Sequence, residues 1–270
     1  AMALSGTGKL QESLLKSLPF TLTKAQQRVS REIAMDLGKT QPMLRLVQGD
    51  VGSGKTLVAI LAALQAVEAG YQAVVMAPTE ILAEQHFLNF DQWLQPLGIQ
   101  LGYLSGKIKG KKRDTVLQEL ASGQIQIIVG THALFQEGVN FNSLGLIIVD
   151  EQHRFGVHQR LALREKGFSA GVWPHQLIMT ATPIPRTLTM SAYADLDCSV
   201  IDELPPGRTP VNTVLLPEQR RTDVVARISA ACNQGRQVYW VCTLIEESEV
   251  LQCQAAEATY QDLLLALPDI

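Results

Sequence analysis

The stretch running from Leu44 to Leu57 constrains this chain more than any other. It contains Gly49-x-x-x-x-Gly54-Lys55-Thr56, a complete phosphate-loop pattern whose loop is Gly49, Asp50, Val51, Gly52, Ser53 and Gly54. Strand-forming residues (44–47) precede it, and an Ala/Leu-rich run (57–69) that predicts a helix follows. That strand–loop–helix setting is what gives the motif meaning. Glycines let the backbone wrap an anion with its N–H groups, and the helix points the positive end of its dipole at the same anion. In such a loop Lys55 reaches the β- and γ-phosphates of a nucleotide, and the Thr56 hydroxyl holds Mg²⁺.

Composition narrows the setting. With 270 residues the chain is long enough for one large domain or two small ones, and 46% hydrophobic against 18% charged residues is a globular balance. A net charge of −3 gives no sign of a generally basic nucleic-acid binder, although a local basic patch is enough for nucleic acid. No apolar run approaches the ~20 residues that span a bilayer, and residues 1–9 lack the basic and apolar regions of a signal peptide. The four cysteines (Cys198, Cys232, Cys242, Cys253) form no Cys-x-x-Cys pair. They read as reduced thiols of a cytoplasmic protein rather than zinc ligands.

Along the chain, residues 9–18 have helical spacing and stop at Pro19. Thr23 is an N-cap candidate with Gln26 at the capping-box position, opening a helix to about Leu37 that ends at Gly38. An amide at Gln26 can alternatively bond both a donor and an acceptor on an adenine edge. After the loop helix, 72–77 predicts a buried strand. A helix through His86 and Trp93 follows, then strands at 99–104, 125–129, 146–149 and 176–179, with a short helix ending near Ala121. Residues 107–113 are the most basic stretch. They suit contact with phosphates, or a plain solvated surface. Strands alternate with helices, and polar signatures fall at strand C-terminal ends, the pattern of an open, mostly parallel α/β sheet. Three prolines and a glycine within 205–210 read as a linker. Beyond it, strands at 211–216 and 237–243 and a helix at 222–233 predict the start of a second α/β unit.

A phosphate loop alone implies nucleotide binding; hydrolysis needs carboxylates. Asp150, delivered by the apolar run Leu146–Val149, suits a Mg²⁺ ligand, and Glu151 suits the activation of water. Neighbouring carboxylates on a regular strand face opposite ways, so a break at the strand end is expected to aim both at one site. Gln152 and His153 are candidates for sensing the γ-phosphate, with Thr180 and Thr182 offering hydroxyls to them. His153 has no Cys or His partner at zinc spacing.

Taken together, Gln26, the loop through Thr56, Ala77-Pro-Thr79-Glu80, Gly130-Thr131-His132, Asp150-Glu151-Gln152-His153 and Thr180-Ala-Thr182 resemble the first motor domain of superfamily 2 helicases. The stretches 150–160, 179–187 and 202–210 are similar to the RecG family of bacterial DNA helicases, and the resemblance covers nearly the whole chain. Transcription-repair coupling translocases share part of it; the Glu203-Leu-Pro-Pro-Gly-Arg-Thr-Pro210 stretch favours RecG. The resemblance implies a RecA-like P-loop domain over 1–204 with an N-terminal helical lead-in, a linker at 205–210 and a truncated second RecA-like domain at 211–270. It implies ATP and Mg²⁺ as cofactors, and branched or forked DNA as substrate in recombination and repair. It assigns DNA-backbone contacts to the segments holding Thr79, Glu80, Thr131 and His132, and coupling of hydrolysis to movement to 180–182. Family members also carry an N-terminal wedge domain and a Gln-x-x-Gly-Arg-x-Gly-Arg pattern in the second motor domain, and neither is in this sequence. The chain therefore reads as a fragment expected to bind nucleotide and hydrolyse it poorly alone. A small-molecule phosphotransferase and a non-catalytic ATP-switched module are the readings from other classes.

Overall fold

In the computed structural model the described residues are 1–151, 173–182, 196–203, 211–242 and 256–268. The chain divides into two compact units, Ala1–Arg208 and Thr209–Ile270. The first is built on a seven-stranded sheet in the order β3-β4-β2-β5-β6-β1-β7. Its strands are β1 (Leu44–Gly49), β2 (Gln72–Met76), β3 (Leu101–Leu104), β4 (Ile127–Gly130), β5 (Leu144–Asp150), β6 (His175–Thr180) and β7 (Asp197–Ile201). Every pairing is parallel. A parallel sheet is covered on both faces, which is why its strands are continuous apolar runs. Along β2, Ala73 and Val75 enter one core while Val74 enters another; along β4, Ile127 and Val129 separate from Ile128 in the same way.

Helices α1 (Lys9–Ser17), α2 (Lys24–Leu37), α3 (Lys55–Glu68) and α4 (Glu80–Leu94) contribute to the larger core, and α5 (Lys111–Ala121) contributes Leu120 to the smaller one. The helix after the phosphate loop, α3, is buried at every position from Leu57 to Val67. A helix apolar on all sides belongs in the interior, so the loop is anchored by a core element rather than by a surface one. Polar ends of α3 are used locally: the Glu68 carboxylate accepts the backbone N–H groups of Gly8 (2.7 Å) and Leu10 (2.6 Å). This caps α1, which has no side-chain cap of its own. The expected capping box at α2 is present in both directions, and the helix ends at Gly38.

Two features depart from the sequence-based expectation. Strand β7 was not anticipated. It is short and opens on Asp197, and it lies at the sheet edge beside β1 in the register Arg45↔Asp197 to Gly49↔Ile201. Its inward Ser199 accepts from Arg45 (2.7 Å), a guanidinium that also bonds Asp36. The strands expected at 211–216 and 237–243 are not formed over 211–216 and 237–242. A strand needs a neighbour for its N–H and C=O groups, and here Val211, Leu215, Tyr239 and Val241 are 81–97% exposed. The described elements of the second unit are helices α6 (Arg221–Cys232) and α7 (Ala256–Ala266) and a short 3₁₀ turn at Glu218–Arg220. No helix among the described residues is long and apolar enough to cross a membrane.

Candidate nucleotide site

The loop between β1 and α3 is wound on its own backbone. Gly52 and Gly54 take left-handed conformations (φ 78° and 88°), and the Ser53 N–H bonds the Asp50 carbonyl at 3.0 Å. A Cβ at Gly54 would lie 2.3 Å from the Gln26 amide nitrogen, and one at Gly49 would lie 2.5 Å from Ser53 Oγ. Neither glycine position has room for a side chain. Helix α3 is preceded by Gly54 at its N-cap with no side-chain cap, so the N–H groups of its first residues, Lys55 and Thr56, are left for an anion. Lys55 donates to the carbonyls of Gly49 (2.6 Å) and Asp50 (2.9 Å). Burial holds its ammonium below the ordinary lysine range, against the opposing pull of Asp150, Glu151 and Asp50. Those carboxylates are thus close enough to act on Lys55. Ser53 Oγ is buried without a partner. Thr56 follows in the first turn of α3, half-buried.

Asp150 ends β5, and the chain breaks from strand geometry at the next residue. Glu151 has φ 49°, the single non-glycine residue with positive φ among the described residues. That conformation costs ~1–2 kcal/mol for a residue with a Cβ. It is held by hydrogen bonds of its own N–H and carboxylate. The Glu151 N–H bonds the Met179 carbonyl (2.9 Å), Thr180 Oγ1 donates to Oε2 (3.0 Å), and the Ala181 N–H donates to Oε1 (2.9 Å). Thr180 Oγ1 in turn accepts the Thr182 N–H at 3.1 Å. The turn after β6 therefore grips the carboxylate at the end of β5. Sequence reasoning offered the Thr180 hydroxyl to Gln152 or His153. Its donor goes to Glu151, and Gln152 and His153 lie outside the described residues.

Beside the loop is a cavity of about 600 Å³ lined by Phe20, Thr21, Gln26, Thr56, Asn89 and Trp93 among others. Gln26 Oε1 accepts the Thr23 N–H (2.9 Å) and Nε2 donates to the Ser53 carbonyl (2.8 Å). The cap reading of Gln26 is realised, and the same amide ties α2 to the loop. These two bonds use one lone pair and one N–H of the two of each that an amide carries.

Thr79 and Glu80 follow β2, and Thr131 and His132 follow β4, its neighbour in the sheet. Thr79 caps α4 through the Leu82 N–H (3.3 Å), and Glu80 is paired with Lys107 from the loop after β3 (2.7 Å). The ion pair lowers the Glu80 carboxyl and raises the Lys107 ammonium relative to their ordinary values. Thr131 is buried with its hydroxyl unpartnered, and His132 is exposed. One site residue was missed in the sequence. His86 on α4 places Nε2 2.8 Å from Asp150 Oδ2. No motif flags it; the signal is a histidine on the otherwise apolar buried face of its helix. Among the described residues no three His, Cys, Asp or Glu side chains form a metal cage. Mg²⁺ at a nucleotide takes one or two protein oxygens plus phosphates and waters, and Thr56 with Asp150 fits that need.

The DEAD/DEAH box helicase family model matches residues 23–191. The chain is 65% identical over 271 aligned residues to ATP-dependent DNA helicase RecG of Escherichia coli strain K12, and 62% identical over 269 to that of Haemophilus influenzae. The matches cover 100% and 99% of this chain but 39% of each relative's length. A solved structure of RecG bound to a three-way DNA junction superposes with a TM-score of 0.82 at 39% identity, over 97% of this chain and 34% of that one. With the phosphate loop, the carboxylate pair and the parallel sheet in the places described, the chain belongs to the DEAD/DEAH box helicase family.

Proposed function

We propose that this chain is the nucleotide-binding motor unit of an ATP-dependent DNA helicase that remodels branched or forked DNA in recombination and repair. The observation that carries it is the grip of the Thr180–Thr182 turn on Glu151 at the strand end whose carboxylates act on Lys55. Family membership implies ATP, and the relatives named above are DNA helicases, one of them bound to a DNA junction. In this reading the N–H groups of Gly49–Gly54 and Lys55 hold the phosphates, and Gln26 stands at the base. Thr56 and Asp150 hold Mg²⁺, which supplies charge neutralisation at the phosphates. Glu151 orients and deprotonates water. Gln152, His153, Thr180 and Thr182 relay the nucleotide state, and the segments holding Thr79, Glu80, Thr131 and His132 meet the DNA backbone.

Residues 1–204 form the first RecA-like motor, 205–210 a linker and 211–270 the beginning of a second motor. Arginines of a complete second motor finish the ATP site, a contribution of ~10³–10⁵ in rate in phosphoryl-transfer enzymes. A wedge domain belongs to the same longer protein. Its place is the cytoplasm, where thiols such as Cys198, Cys232 and Cys242 stay reduced.

The test is ATP hydrolysis by the longer protein with and without forked DNA. Forked DNA is expected to stimulate turnover. Glu151→Gln is expected to keep ADP binding while lowering stimulated turnover by ~10²–10⁴, the usual share of a general base, and Lys55→Ala to abolish nucleotide binding. DNA-independent turnover, or a fully active Glu151→Gln protein, overturns the proposal.

A further inference from the structure

Helix α4 turns one face to the core, and along that face stand Ala83, His86, Phe90 and Leu94. Three of these four need no polar partner. The fourth is 7% exposed, packs edge-on against Phe90 (ring centroids 6.4 Å apart, 83° between planes) and carries two nitrogens. Nε2 is bonded to Asp150 Oδ2; Nδ1 is buried with no partner. An unmet buried nitrogen is a net cost, and a leucine or methionine would fill the space without it. The one polar return the imidazole makes is to the carboxylate at the end of β5.

We infer that His86 is a positioning residue for the metal site: its Nε2–H fixes Asp150 by Oδ2 and presents the remaining oxygen, Oδ1, to Mg²⁺. This rests on the reading of Asp150 as the metal-binding carboxylate. An ionised carboxylate only accepts, so the proton of this bond sits on Nε2. Mg²⁺ demands near-octahedral geometry and gives up water reluctantly. A carboxylate free to turn about its terminal torsion, which is broad and roughly two-fold, must be ordered at each binding event. A bond from a buried helix removes that freedom beforehand.

The test uses three substitutions that differ in reach. The amide nitrogen of His86→Gln reaches the place of Nε2; that of His86→Asn, one methylene shorter, reaches only the place of Nδ1; His86→Leu has no donor. The full chain is saturated with ADP, and Mn²⁺ affinity is read from the electron paramagnetic resonance signal of the free ion, beside metal-free ADP affinity and thermal unfolding. His86→Gln is expected to bind Mn²⁺ as the parent does. His86→Asn and His86→Leu are expected to weaken it about 10–100-fold, the usual effect of losing a partner behind a metal ligand, with metal-free ADP affinity unchanged. If His86→Leu fails to fold, the contrast between the two amides decides. Equal Mn²⁺ affinities for His86→Gln and His86→Asn overturn the inference. Asp150→Asn separates the two levels. If it weakens Mn²⁺ binding while the His86 variants do not, the positioning role alone fails. If it leaves Mn²⁺ binding intact, the metal reading of Asp150 fails.

Discussion

Replacing Gly54 by alanine tests the junction of loop and lead-in helix most directly. The residue sits at φ 88°, so a Cβ there carries the left-handed penalty of ~1–2 kcal/mol. The new atom would also lie 2.3 Å from Gln26 Nε2 and 3.2 Å from its Cδ, which no rotation of Ala relieves. The amide must leave. It then gives up its bond to the Ser53 carbonyl and its bond from the Thr23 N–H, at ~1 kcal/mol each. Gly54→Ala is therefore expected to lose about 3–4 kcal/mol, the sum of strain and two bonds. Gln26→Ala loses the same two bonds with no strain, about 2 kcal/mol. In the double variant the bonds are already gone and the clash is relieved, so it should be no less stable than Gly54→Ala alone. The coupling term is then about 2 kcal/mol, well outside the ~0.5 kcal/mol scatter of independent sites. Urea unfolding of all four proteins, followed by far-ultraviolet circular dichroism, measures the cycle. Additive single losses would refute the packing of Gln26 onto the loop, as would a neutral Gly54→Ala.

Two further outcomes follow from named bonds. Thr180→Val keeps the shape of a buried side chain but removes one donor to Glu151 and the acceptor of the Thr182 N–H. ATP turnover by the longer protein should fall by about 10-fold or more, a loss of ~1.4 kcal/mol or more from a charged hydrogen bond, while ADP affinity by calorimetry stays level. Unaltered turnover would contradict the grip. Buried His175 accepts the Met43 N–H on Nδ1 (3.0 Å) and meets the Met2 carbonyl through Nε2 (2.8 Å), and burial holds it below its ordinary value of 6.5. Its folded form resists the proton that the unfolded chain accepts, so its stabilising contribution is complete above pH 6.5 and declines as pH falls toward the folded value. By pH 5.5 the loss is at most about 1.4 kcal/mol relative to pH 7.5. His175→Gln should flatten that part of the urea-midpoint profile, and an unchanged profile would exclude His175 as its source.

The sheet was legible where burial imposes a pattern. Continuous apolar runs such as Leu146–Val149 locate central strands because both faces must be covered. Thr23 and Gln26 locate a helix start because a capping box is local chemistry. Edge strand β7 escaped because among the described residues one side has no strand neighbour to enforce an apolar run, and Asp197 and Ser199 are satisfied by Arg45 instead. Of the candidate site, Lys55, Thr56, Asp150 and Glu151 were readable because spacing relative to a strand end is a sequence property. The break after Asp150 was expected as well, but the hold of Thr180 on Glu151 and the bond from His86 were not. Each is a contact between elements separated by 29 or 64 residues, and nothing local in either partner announces the other.

The placement of β1 bears on how such a chain is synthesised. The strand that carries the phosphate loop has β6 and β7 as its two neighbours, so its partners are Gln176–Thr180 and Asp197–Ile201. A ribosome that has made the whole motif must still add well over one hundred residues before either edge of that strand can pair. Contacts of such long sequence separation form late, because the intervening loop must be closed before they stabilise anything. The nascent chain thus carries its loop residues early while their flanking strand waits with two open edges. In that interval a chaperone has a hydrophobic strand to shield.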